Sequence, residues 1–266
     1  MNAVLALYRT TIGKKLAMAL SGVVYIGWVL FHMAGNLNFH LGPQVLNDYA
    51  HKLQDMPPVV WGGRTVLLVA LIVHVASAFS LIAHNRSARK TAYKGPKKAL
   101  ATTSAALSMR YGGIALLLFI VWHIADLTVG VLSPVHQLTN LYSGASLGFI
   151  RGEVYHDMLV SFGSPISLSI YVVAVIGLSL HLYHGVWSAV QTLGFDQATT
   201  GVFWRRVAAF VAGLVLVGNL SYPISGFFYA VTGVGPEQVI TGHGEKYYGA
   251  RVTLPKATSA KTQGTP

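Results

Sequence analysis

The sequence predicts an all-α integral membrane protein, a bundle of five transmembrane helices. Three observations carry that expectation. Of 266 residues, 53% are hydrophobic and only 10% charged, with mean hydropathy +0.53, whereas a soluble domain carries about 25% charged residues. Five apolar stretches are each long enough for a hydrocarbon core of about 30 Å at about 1.5 Å per residue. The basic residues gather in particular connecting segments rather than spreading along the chain.

The spans fall at about 16–37, 63–83, 109–132, 165–192 and 204–231. The first follows Arg9, Lys14 and Lys15. It runs on for about twenty apolar residues, too long for the h-region of a cleavable signal. Orientation follows from Lys and Arg. Arg9, Lys14 and Lys15 lie before span one. Seven basic residues from Arg86 to Arg110 separate spans two and three, and Arg205 and Arg206 follow the loop after span four. These place 12 of the 19 basic residues on one side. The N-terminus is therefore expected in the cytoplasm and the C-terminus outside. Residues 1–232 form the membrane unit and 233–266 an extracytoplasmic tail, whose polar end is expected to be disordered. The almost purely basic inner face matches the positive-inside rule and anionic lipid, and equally a docking surface for acidic soluble subunits. The net charge of +11 is thus explained by topology, and no nucleic-acid partner is expected.

No cysteine is present. That excludes disulfides, thiolate-held iron–sulfur clusters, zinc–thiolate sites and covalent c-type haem. Four histidines, His32, His74, His123 and His181, lie one each inside the first four spans. An ionisable residue in hydrocarbon is costly and marks a functional site by default. Taken singly, each could be a hydrogen-bonded interior residue of a transporter or channel. Four of them supply the axial ligands of two bis-histidine irons, as in b-type haem.

Counting along the helices sorts them by depth. His32 is 17 residues past Lys15, about 26 Å from the inner edge. His123 is 13 past Arg110, about 20 Å. His74 sits near mid-membrane, and His181 is 16 past Pro165 on a descending helix, about 24 Å down. The outer pair is then His32 with His123, and the inner pair His74 with His181. His184, three residues past His181, lies on nearly the same face and competes for the ligand role. His84 reads as interfacial. His40, His51, His136, His156 and His243 read as surface residues of outer loops or tail, one of which could serve a quinone site. Asp126, three residues past His123, could accept a proton or orient a ligand histidine, or simply cap the helix. Arg64 and Arg110 flank ligand-bearing spans and could pair with haem propionates, or snorkel. Glycines such as Gly22, Gly35, Gly113 and Gly177 suit close helix approach and equally a flat cofactor.

The ordered set IGKKLAMALSG (12–22), FHMAGNL (31–37), NRSAR (85–89), HIADLT (123–128) and HLYHGVWS (181–188) resembles the cytochrome b558 membrane-anchor subunit of succinate dehydrogenase and fumarate reductase, of the single-chain, five-helix, dihaem type. The likeness runs from Thr11 to about Tyr229. It implies that His32 and His123 hold an outer haem b, that His74 and His181 hold an inner one, and that His181 rather than His184 is the ligand. It implies flavoprotein and iron–sulfur partner subunits on the cytoplasmic face and menaquinone as substrate. The place would be a bacterial inner membrane, where the tricarboxylic acid cycle meets the respiratory chain. No dinucleotide-binding glycine motif and no cysteine occur here, so no succinate-oxidising site is expected on this chain. For the quinone and its protons the acids available are Asp126 and, less directly matched, Asp48 and Asp55. Two other functions stay open at this point: the haem b subunit of another quinone-linked dehydrogenase, and a haem-free proton-coupled transporter.

Overall fold

In the computed structural model, residues 3–88, 104–132, 136 and 148–233 are described. All regular structure among them is helical. Helix α1 (Ala3–Arg9) turns sharply into α2 (Thr11–Asn36). The turn is fixed by Thr10, whose hydroxyl accepts the Gly13 N–H at 2.9 Å, an N-cap worth about 1 kcal/mol. A side chain at Gly13 would run into the Leu7 carbonyl, so this corner needs glycine. A 3-10 turn (Leu37–Leu41) leads through Gly42, φ 101°, into α3 (Pro43–Gln54). Next come α4 (Pro57–Ser87) and α5 (Ser104–Ile124). Helix α5 widens into a π-turn (Ala125–Val129) that stops at Gly130. Helices α6 (Val154–Phe162), α7 (Pro165–Thr192) and α8 (Gly201–Thr232) complete the chain. Proline at the first turn of α3, α4 and α7 starts each helix without losing a needed N–H.

Five helices, α2, α4, α5, α7 and α8, are long and apolar enough to cross a membrane. This is a multi-pass membrane protein. Helices α4 and α8 run beyond the expected spans at both ends, α7 matches its span, and α2 and α5 start earlier and stop short of theirs; α4 has 31 residues, about 46 Å, so it extends past the hydrocarbon. The sequence reading gave no hint of α1, α3 or α6, because short helices with mixed polarity leave no twenty-residue apolar signal. The tail from 234 on and His243 lie outside the described residues, as do most of the basic residues between α4 and α5.

Packing runs α4 on α2, α2 on α7, and α7 on α5, with α8 against α7 and α2. The molecule is therefore two helix pairs, α2/α4 and α5/α7, joined along the α2–α7 seam. Lipid-facing side chains such as Val66, Val69, Ile72, Leu118 and Phe210 stay exposed, as expected where hydrocarbon rather than water is the neighbour. The best-packed core lies at one end. There Phe39, Leu46, Tyr155, Met158, Phe162, Tyr171 and Tyr222 cluster beneath α3 and α6. Gly226 allows Phe162 and Phe39 to approach α8 closely. The cap is pinned by Asn47, which donates to Glu153 at 2.7 Å and accepts from the Tyr155 N–H at 3.0 Å.

Candidate functional site

The four intramembrane histidines meet in two pairs. His32 on α2 and His123 on α5 have ring centroids 5.8 Å apart at 87°. His74 on α4 and His181 on α7 have centroids 6.3 Å apart at 54°. The first pair lies near the capped end, beside the close of α2 and α5; the second lies further along the bundle. Two imidazoles on opposite sides of one iron, each at a bond of about 2 Å, bring their centroids to roughly 6 Å.

Each pair also bridges helices that are not among the closely packed neighbours of the bundle. Among the described residues, the packed pairs include neither α2 with α5 nor α4 with α7. A flat group has room between helices that stand apart. Small residues line the approach: a Cβ on Gly22 would lie 3.5 Å from the His74 ring, and one on Gly113 3.8 Å from the His181 ring.

The ring nitrogens divide their work. His74 Nδ1 lies 3.1 Å from the Met18 carbonyl and 3.3 Å from Ser21 Oγ, which leaves Nε2 for a metal. Such partners fix the tautomer and orientation of a metal-binding histidine. His123 Nδ1 lies 3.2 Å from Tyr171 Oη, again leaving Nε2. His32 stacks on Trp28 at 5.5 Å and 19°, but its Nε2 meets the Asn36 amide at 3.1 Å, so metal binding there requires that amide to swing aside. His181 Nδ1 is buried with no partner among the described residues. The residues thus fit two bis-imidazole haems. No cluster of three or more His, Cys, Asp or Glu occurs among the described residues, and a porphyrin, which brings its own four nitrogens, asks for only two.

His184 is partly buried, and the ring found against His74 is that of His181. Arg64 is exposed and stacks on Trp61, 4.9 Å from the ring centroid; Arg110 and Asp48 are also exposed. Asp126 behaves quite differently. It is 4% exposed and faces inward from the π-turn, a distortion often found at functional sites. His136 Nε2 sits 2.6 Å from its Oδ1. Ser161 donates to Oδ2 at 2.6 Å and Tyr171 at 3.1 Å.

Two of the expected surface histidines are not at the surface. His136 and His156 are 3% and 9% exposed: His136 lies against the buried Asp126, and His156 sits on α6, which packs against α3 and α8. His156 lies 3.1 Å from the Gly148 carbonyl. Burial holds its pKa below the usual histidine value, against opposing pulls from that carbonyl and Glu153. Beside it, burial pushes the Asp157 carboxyl up to about 7, against the donated Ile150 N–H and with help from Glu153 and Asp126. Of the others, His51 and His84 are exposed, and His40 Nε2 meets Ser221 Oγ at 3.0 Å. Tyr171 and Ser161 were not anticipated at all; a tyrosine ten residues before a ligand candidate carries no pattern of its own.

Among curated proteins, the chain is similar to the succinate dehydrogenase cytochrome b558 subunit of Bacillus subtilis, strain 168. The two are 23% identical over 208 residues, covering 77% of this chain and 89% of that protein. No protein-family model matches the chain, and no solved structure does.

Proposed function

We propose that this chain is the dihaem cytochrome b membrane-anchor subunit of a succinate:menaquinone oxidoreductase. One observation carries the reading: two histidine-ring pairs at bis-imidazole spacing, at two depths, on four membrane-spanning helices. The similarity to a succinate dehydrogenase cytochrome subunit supports the choice of complex over other quinone-linked dehydrogenases.

In this reading His74 and His181 hold the inner haem b, and His32 and His123 the outer one. The N-terminus is cytoplasmic and the C-terminus outside. Bound haem supplies one-electron carriage at each level. The chain's own residues do the rest. The imidazoles set the two depths. Met18, Ser21 and Tyr171 orient the rings, and the apolar helix faces keep water out. Electrons enter from a cytoplasmic iron–sulfur subunit, itself served by a flavoprotein that oxidises succinate, and leave to menaquinone. The basic inner face is the docking side for those subunits.

The test is a reduced-minus-oxidised optical spectrum with pyridine haemochrome quantification on the purified chain. Two b haems per chain are expected, together with co-purification of a succinate-binding flavoprotein from the native membrane. Folded protein that carries no haem although it was produced with haem in excess would overturn the reading and favour a proton-coupled transporter.

A further inference from the structure

The electron path just described makes no use of the turn between α7 and α8, at the end of the bundle opposite the cap. A cavity of about 430 Å³ opens there. Trp187 and Gln191 of α7, Asp196 and Gln197 of the turn, and Gly201 and Arg205 of α8 line its walls. The turn needs none of its charged side chains to hold its shape. Gly194, φ 82°, ends α7. Thr200 Oγ1 accepts the Gln197 N–H at 3.0 Å, and the Trp204 indole N–H donates to the Phe195 carbonyl at 3.1 Å.

Those charges also leave one another alone. Asp196 and Arg205 line one cavity, yet among the described residues they form no ion pair with each other. Arg205 lies over the Trp187 ring, 4.8 Å from its centroid. Stacking of this kind fixes the guanidinium through its face and leaves its N–H groups to meet an anion. Asp196 takes one long hydrogen bond, from Gln191 Nε2 at 3.4 Å. It is the sole acid between Asp157 and Glu237, and at this end it stands beside Arg205 and Arg206. An acid kept apart from the arginine in its own cavity suits a ligand that brings a cation. The surroundings say where that ligand comes from. Phe195, Val202 and Phe203 stand around the turn at 59%, 66% and 59% exposure. Large exposed apolar side chains beside two tryptophans and an arginine mark the level at which a span passes from hydrocarbon to headgroups.

We propose that this cavity binds the headgroup of a phospholipid that carries both a phosphate and a primary ammonium, with the phosphate on Arg205 and the ammonium on Asp196. The guanidinium fork matches two phosphate oxygens. The ammonium has three N–H donors, which Asp196 and the amide oxygens of Gln191 and Gln197 can accept. The acyl chains then run along Phe195, Val202 and Phe203. The charge order also sets the specificity. A lipid bearing a phosphate alone leaves Asp196 without a partner and close to a second negative charge. A choline lipid has the positive charge but no N–H to give. An ethanolamine lipid satisfies both walls. The site needs only the five spans and the α7–α8 turn, so it stands or falls separately from the haem assignment.

The experiment is a lipid competition on the full-length protein. It is exchanged into mixed micelles holding equal amounts of phosphatidylethanolamine, phosphatidylcholine and phosphatidylglycerol with the same acyl chains, and retained lipid is counted by native mass spectrometry. The wild type should keep one phosphatidylethanolamine in preference to the other two. Asp196→Asn, which keeps the shape and loses the charge, should weaken that retention about tenfold, as for one charge-assisted hydrogen bond, and bring the ethanolamine and choline lipids level. Arg205→Gln should weaken all three. Either variant decides the matter if the other fails to insert. Equal retention of the three lipids by the wild type, a preference for phosphatidylglycerol, or an unchanged preference in an inserted Asp196→Asn variant would each overturn the proposal. Equal retention would also turn the patch over to protein docking.

Discussion

Replacing His181 with alanine tests the His74–His181 pair most directly, and His184→Ala is its built-in control. The two histidines are three residues apart on α7. That places them about 60° apart around the helix and about 4.5 Å apart along it. The His181 ring lies 6.3 Å from His74, a spacing already suited to a shared iron. A ring displaced by 4.5 Å along the axis cannot share that iron without moving the helix. His181→Ala should therefore cut haem from two per chain to one, and His74→Ala should do the same. The double variant should lose no more than either single one, because both ligands serve one site. His184→Ala should keep two. Haem is counted by pyridine haemochrome against protein, and optical difference spectra show which component is gone. If His184→Ala lost the haem and His181→Ala kept it, the ligand assignment and the use of the ring geometry behind it would both be wrong.

Two further predictions follow from the packing. Gly22→Val should deplete the same component with the protein still inserted, since a Cβ there would lie 3.5 Å from His74 and valine's methyl groups must enter the space beside the ring; full haem occupancy in the variant would refute it. Asp157, raised to about 7 by burial, binds its proton more tightly folded than unfolded, where its pKa is about 3.9. Its contribution to stability is therefore largest at low pH and is lost as pH rises from about 4 to about 7. Asp157→Asn, which can still accept the Ile150 N–H, should match the wild-type unfolding free energy near pH 4 and exceed it at pH 8 by about 1–2 kcal/mol; a variant less stable at pH 8 would refute the sign.

The spans were legible because lipid asks for long apolar runs, and α2, α4, α5, α7 and α8 all have them. Which histidine rings lie together was legible by counting, because a straight helix turns residue number into depth. Helix neighbourhood was not: nothing in the sequence says that α2 meets α7 rather than α5. The capped end was illegible for a different reason. Its interactions join residues far apart in sequence, such as Asn47 with Glu153, and its helices are too short to announce themselves. His136 was assigned to the surface because a polar residue after a span usually faces water. Only the fold reveals that Asp126 waits for it inside.

The arrangement of the long helices bears on how such a chain matures. Each ligand pair joins one residue from α2/α4 to one from α5/α7, across halves that also meet where α2 packs on α7 and α8 and α3 packs on α6. Iron coordination would then act as a pair of rivets between half-proteins rather than as cargo in a finished pocket. If the chain holds the two haems proposed, haem supply would be a checkpoint of biogenesis: a ligand that binds only the assembled form draws assembly forward by mass action. In that reading, the halves expressed as separate polypeptides would associate more tightly when haem is present.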